Sequence, residues 1–475
     1  MPVSFGIQDS YVSAKETLGP RVGTVSGINR TLLSQRHQSE RDLFERLHPR
    51  SAELAVGAKE NLVSGVPMPW MTRLPGSFPL FLDEARGGHF TDVDGLEYVD
   101  FCLGDTGAMT GHALPQVAEA IHHRALNGIT TMLPNEDAQW VAAELQRRFG
   151  LPKWQFAMTA TDANRFVLRF ARELTGRPKI AVMDWCYHGT VDETLVVRGK
   201  NGETLSRPGS TGRGFDPAIT TRVVPFNDVA ELERVLAIGD VACLLMEPAL
   251  TNIGIVLPEP GYLDAVRTLT RKYGVLLIID ETHTICAGPG GCTKAWNLEP
   301  DMFVIGKPIG GGMPAAVYGM TSEVATRLEV LMTSNEVDVS GVGGTLTGNA
   351  LALAAVRATL SSTLLQSDFD QMIPLATRWT TGVRSAFDSF SLDWHVQQLG
   401  CRAEYWFGPP PRDGAGAAAT GDHDLESYLH LYALNRGVLL TPFHNMALMC
   451  PSHTSDDVDQ HTEIFSDSLQ SICGS

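Results

Sequence analysis

Between about residue 111 and residue 375 the chain alternates helix-like periodicity with short apolar runs. In TATDANRFVLRFARELTG the apolar Val167, Phe170, Ala171 and Leu174 fall at i, i+3, i+4 and i+7, while Arg165, Arg169 and Arg172 take the other face. One side of such a helix is apolar and the other charged, and Gly176 supplies a stop. The runs KIAVMDW, VACLLME, VLLIID and MFVIGK have the length of strands, with helical segments such as GYLDAVRTLTRKYG between them. Runs without polar alternation bury both faces of a sheet, which calls for parallel strands joined by covering helices. The expectation is a large α/β domain over residues 111–375, with a mostly parallel central sheet and its ligand at the carboxyl ends of the strands.

The flanks read differently. Residues 1 to about 35 are rich in Ser, Thr and Gly, and SQRHQSERDLFERLHPRSAEL has the pattern of a charged amphipathic helix. In FPLFLDEARGGHFTDVDGLEYVDF short apolar pieces are split by Asp94-Gly95, the signature of a turn in a small antiparallel sheet. Residues 1–110 are therefore expected to form an N-terminal segment and part of a small lobe. After a long helical stretch around residues 368–389, the pieces CRAEYWF, GVLLTPF and ALMC predict strands of a C-terminal lobe over residues 376–475. The loop PPPRDGAGAAATGD is expected to be mobile.

At 475 residues the chain is long enough for a large domain with smaller lobes. Its 37 basic and 54 acidic residues give a net charge of −17 with no basic block, which excludes nucleic acid or an anionic membrane surface as a partner. No stretch approaches the apolar length of a membrane span, and a cytoplasmic protein is expected. The eight cysteines are scattered without a C-x-x-C pair, so they read as free thiols, with neither a disulfide framework nor a metal site.

Two strand ends carry candidate chemistry. The run VLLIID ends at Asp280, and MFVIGK ends at Lys307 before a glycine-rich turn. An ammonium and a carboxylate at one sheet edge can hold pyridoxal phosphate. The amine forms a Schiff base with its aldehyde, and the carboxylate keeps the pyridine nitrogen protonated as an electron sink. A phosphate needs amides and hydroxyls at a helix start, and Thr159, Ala160 and Thr161 stand just before the amphipathic helix; an ordinary helix cap is the plainer account of the same residues. Tyr187 and His188, in CYHG after another strand, are placed to stack on a flat ring or simply to pack.

Taken in order, these motifs resemble the class III, fold-type I, pyridoxal-phosphate-dependent aminotransferases, which include glutamate-1-semialdehyde aminomutases and omega-amino-acid and amine transaminases. The resemblance runs from about Phe78 to Thr454. It implies that Lys307 in VIGKPIGGGMP is the Schiff-base lysine, that Asp280 in IIDETHT faces the pyridinium nitrogen, and that Tyr187 lies over the ring. Thr159, Ala160 and Thr161 match the family's Ser-Gly-Thr phosphate turn, with alanine in place of glycine. Glu247 and Asn252 in MEPALTNIG match the Glu-Pro segment and an asparagine near the cofactor's phenolic oxygen. Thr345 in GGTLTGNALA matches a threonine that reaches the phosphate of the neighbouring subunit, which implies a homodimer with shared sites.

Substrate identity is less sharply written. Arg73 in PMPWMTRLPG and Arg402 in GCRAEYWF are candidates to grip a carboxylate, with surface or structural roles as alternatives. Trp70, Tyr405, Trp406 and Phe443 lie in segments that border the family's substrate pocket, or fill the small lobe's core. TPFHNMALMC lacks the acidic residue expected of an aminomutase in that stretch. The expectation is an (S)-selective transaminase moving an amino group from an arylalkyl amine to a keto acid such as pyruvate. A glutamate-1-semialdehyde 2,1-aminomutase, a beta- or omega-amino acid transaminase, and a cofactor-binding regulatory protein without turnover are the alternatives.

Overall fold

Apolar runs of four to six residues can hide both faces only in the middle of a sheet, and that is where they lie. The computed structural model describes residue 25 and residues 27–212, 214–333 and 338–473; most of the expected Ser-, Thr- and Gly-rich N-terminal segment lies outside the described residues. Seven strands are ordered Lys153–Ala157, Ala316–Met320, Met302–Ile305, Leu276–Asp280, Val241–Met246, Lys179–Met183, Thr221–Val224. Every residue of Val241–Met246, Leu276–Asp280 and Met302–Ile305 is buried. Ala316–Met320 runs antiparallel to both neighbours, and the other pairs are parallel.

The amphipathic helix spans Ala160–Thr175 and ends at Gly176 in the left-handed conformation. Val167 and Ala171 are buried, Phe170 and Leu174 half-buried, and Arg165 and Arg169 exposed, as the periodicity requires. Three strands are not signalled by an unbroken run. Lys153–Ala157 and Thr221–Val224 are short and carry polar residues, and Ala316–Met320 is hidden behind the glycine-rich turn.

Two smaller sheets flank this layer. Leu82–Arg86, His89–Asp92 and Glu97–Asp100 form an antiparallel sheet that turns at Asp94-Gly95, and Val438–Leu439 adds a parallel strand to it from the far end of the chain. The expected GVLLTPF strand contributes only those two residues. His395–Leu399, Arg402–Trp406 and Met446–Leu448 form the other sheet. The expected N-terminal helix is two, Arg30–Leu47 and Pro49–Ala58, because Pro49 lacks an N–H and drives His48 out of the helical region. Within the loop expected to be mobile, Gly414–Ala418 is helical, capped by Asp413, and Arg412 binds Glu259 at 2.5 Å and the Asn227 carbonyl at 2.9 Å. All eight cysteines are free, and no helix among the described residues is long and apolar enough to cross a membrane.

Candidate active site

The parallel register sets Asp280 beside Val304, so the last residue of one strand lies next to the end of the strand that leads into Lys307. Asp280 is buried. Its Oδ2 accepts from Asn164 Nδ2 and from His188 Nδ1, each at 2.9 Å, and its Oδ1 accepts from the Thr282 amide at 3.1 Å. Burial alone would raise this carboxyl, but the hydrogen bond and charge of His188, with Thr282 and Asn164, hold it at about 2. Asp280 is thus an anion at every pH of interest, and His188, against its own burial, is pushed up by Cys186 and Asp280. Lys307 opens a 3-10 turn with φ of +47°, a left-handed conformation that a lysine holds at a cost of about 1 kcal/mol or more.

The helix beginning at Ala160 brings its amino end to the same place. Thr159 caps it: its hydroxyl accepts from the Asp162 amide at 3.2 Å and donates to Asp162 Oδ2 at 2.8 Å. Thr161 Oγ1 accepts from the Thr190 amide at 3.0 Å. A Cβ on Gly306 would meet the Ala160 methyl at 3.0 Å and the Ala160 amide nitrogen at 3.2 Å. The alanine that departs from the family's glycine is therefore faced by a residue with no side chain.

One cavity of about 470 Å³ is lined by Thr159, Ala160, Thr161, Tyr187, His188, Glu247, Asp280 and Lys307, together with Trp70 and His283. Burial pushes the Glu247 carboxyl up to about 7, partly opposed by His188 and by the hydroxyl of Thr251, which donates to its Oε2. Asn252 donates to the Trp185 carbonyl at 3.1 Å and borders an adjoining cavity instead.

The family model for "Aminotransferase class-III" matches residues 71–378. The chain is a class-III aminotransferase. It is 34% identical over 419 residues to the glutamate-1-semialdehyde 2,1-aminomutase of Sorangium cellulosum, covering 87% of this chain and 94% of that one. Among solved structures, a glutamate-1-semialdehyde-aminomutase from Pseudomonas aeruginosa superposes with a TM-score of 0.92 at 47% identity, covering 94% and 99% of the two chains. An omega-transaminase from Sphaerobacter thermophilus superposes with a TM-score of 0.81 at 26% identity, covering 90% and 98%. The aminotransferase thus has the fold-type I architecture.

The adjoining cavity of the aminotransferase, about 580 Å³, shares Trp70, Tyr187 and His283 with the first. Its lining brings charged and titratable side chains together, among them Arg73, Arg207, Asp105, Glu426, His430 and His444. Trp70 meets Tyr187 and Phe443 edge-on, with ring centroids 5.8 and 5.6 Å apart, and these three rings form the rim. Arg73 is exposed in this cavity. Arg402 is not: fully buried, it donates to the Thr251 carbonyl at 2.7 Å, to Glu404 at 3.2 Å and to His283 Nδ1 at 3.1 Å. It stands behind His283 and presents no surface to a substrate. Tyr405 and Trp406 are also core residues, leaving Trp70 and Phe443 at the rim. Thr345 is exposed and lines a separate cavity with Thr130, Met132 and Leu133.

Three residues at the site escape sequence reasoning. Asp105 lies in a turn where Leu103, Gly104, Asp105 and Thr106 all have positive φ. His283 follows Asp280 by three residues, and Arg207 follows the short strand Thr204–Ser206. The glycines of CLGDTGAM were the one available signal of the tight turn.

Proposed function

We propose that this aminotransferase moves an amino group on a small carboxylate-bearing substrate in the manner of a glutamate-1-semialdehyde 2,1-aminomutase. The observation that carries this reading is the charge lining the second cavity, which adjoins the one that holds Lys307: two guanidiniums, Arg73 and Arg207, stand where a substrate carboxylate can be met. The Sorangium relative and the Pseudomonas structure, both named as aminomutases, support it over the amine transaminase expected from the sequence.

Pyridoxal phosphate is the cofactor of this enzyme, and the residues suit it. The first cavity joins a lysine amine, a buried ionised carboxylate, an aromatic ring and a helix amino end, and its volume is that of a small-ligand site. When bound, the cofactor supplies an aldehyde that bonds amines and a ring that takes up electrons as a substrate C–H bond breaks. Lys307 would hold the aldehyde end of the cofactor, and its amine is the group placed to take and return a substrate proton. Asp280 keeps the ring nitrogen charged, with His188 and Asn164 fixing the carboxylate's direction. Thr159, Ala160 and Thr161 receive the phosphate at the helix start, where amides lack intrahelical partners and the dipole favours an anion. Tyr187 would pack on the cofactor's ring, with Glu247 and Asn252 as its polar neighbours. Thr345 serves the site of a second copy, which makes the working unit a homodimer. Arg73 and Arg207 bind the substrate carboxylate, and Trp70 and Phe443 limit its size. The free thiols support a reducing, cytoplasmic setting.

Supplied with glutamate-1-semialdehyde and no amino acceptor, the enzyme is expected to form 5-aminolevulinate. If it ignores that substrate and instead makes alanine from pyruvate and 1-phenylethylamine, the amine transaminase reading replaces this one.

A further inference from the structure

Two side chains touch the Lys307 nitrogen: Asp105, outside the motifs that carry the family resemblance, and His283, which lies within IIDETHT but has no role assigned by it. Asp105 Oδ2 lies 2.9 Å from Nζ, and His283 Nε2 lies 2.6 Å from it. They approach from different elements. Asp105 comes from the left-handed turn after Glu97–Asp100, and His283 from the segment after Leu276–Asp280. Asp105 and Lys307 both hold positive φ angles, +52° and +47°, so the ion pair joins two residues in a conformation that non-glycine residues rarely adopt.

The His283 ring can be oriented from its partners. Arg402 has only donors, and its Nη1 lies 3.1 Å from His283 Nδ1, so that nitrogen accepts; the Thr106 hydroxyl, 3.0 Å from the same nitrogen, can donate to it as well. Burial, together with nearby positive groups that include Arg402, pushes the imidazole well below its ordinary value, so the ring is neutral. A neutral ring that accepts at Nδ1 carries its proton on Nε2, facing Lys307. Arg402 is itself held by the Thr251 carbonyl and Glu404, and Glu404 also binds His444 at 3.0 Å.

We propose that Asp105 and His283 are positioning residues with opposed effects on the Lys307 amine: Asp105 favours its ammonium form, and His283, with its tautomer set by Arg402, donates to the lone pair of the free base. Between them the nitrogen is turned towards the junction of the two cavities and kept ready to bond a carbonyl carbon. The other titratable groups around this junction are Asp280, His188, Glu247 and Tyr187 in the first cavity, Arg73, Arg207, His423, Glu426, His430 and His444 in the second, and Arg402 behind. None of these touches Nζ in the way Asp105 and His283 do.

The proposal rests on the assignment of Lys307 made above, and its test separates the two. Apoenzyme is mixed with pyridoxal phosphate across a pH series, and the rate of capture is followed by the rise of visible absorbance. Asp105→Asn, which tolerates the left-handed turn, should move the capture profile to lower pH by about one unit, because the charge favouring the ammonium is gone. His283→Leu should move it to higher pH, and His283→Gln, whose amide can donate from a similar place, should restore part of that shift. Profiles that stay with the parent, or that move in the same direction in Asp105→Asn and His283→Leu, overturn the proposal. If Lys307→Ala captures the cofactor with the parent's spectrum, the assignment of Lys307 itself is wrong.

Discussion

At the scale of single residues the site depends on a charge that burial would suppress. Asp280 stays ionised only because His188, Asn164 and the Thr282 amide bind it. Asp280→Asn should still take up pyridoxal phosphate yet lose turnover by roughly a hundredfold, about 3 kcal/mol, measured as kcat in each half-reaction. Glu247 behaves in the opposite way. Its folded value of about 7 lies above the ordinary 4.5, so the native state holds a proton that the unfolded chain gives up between those values. The stability it contributes is full below pH 4.5 and is lost as pH rises through 7. Glu247→Gln should therefore gain on the parent in thermal unfolding temperature as pH climbs from 5 to 8. Lys307 and Asp280 were visible in the sequence because each ends an apolar run. Asp105 was not, because it is 202 residues from Lys307 and hydrophobic periodicity carries nothing about which loops meet.

At the scale of elements the decisive contact is between a strand end and a helix start. Gly306 lies so close to Ala160 that a side chain there would make the start of the helix yield by a few tenths of an ångström. Gly306→Ala should weaken pyridoxal phosphate binding about tenfold, within the 1–3 kcal/mol typical of overpacking. The double variant with Ala160→Gly should recover most of it, since the two methyls compete for one space; a titration of cofactor affinity across the four proteins measures that coupling. The central strands were legible because burial on both faces leaves an unbroken apolar run, and the amphipathic helix because burial on one face leaves a period. Lys153–Ala157 and Thr221–Val224 were not, since short strands with polar residues leave no such period. The reversal of Ala316–Met320 was hidden too, because composition does not record strand direction.

At the scale of the molecule, large apolar side chains remain exposed near the cavity that contains Thr345: Leu126, Met132, Leu133 and Leu346 are 75, 82, 73 and 53% exposed. A patch of this kind calls for a partner surface, and a second copy is the partner proposed above. Sedimentation should give twice the 51.5 kDa chain mass, and Thr345→Ala should weaken cofactor retention by about 1 kcal/mol without changing that mass.

The reversed strand has one more consequence. Lys307 hangs from a segment that leaves the sheet at Ile305 and rejoins it beside the same strand, with Ile305 paired to Val317. Such a segment works as a staple. Both ends of the turn that carries Lys307 are thereby tied to adjacent strands of the sheet. The rim, built from Trp70, Arg73 and Phe443 on other segments, is free to drift in size and charge without loosening the anchor. Solved proteins named for different activities, an aminomutase and an omega-transaminase, share this scaffold with TM-scores of 0.92 and 0.81.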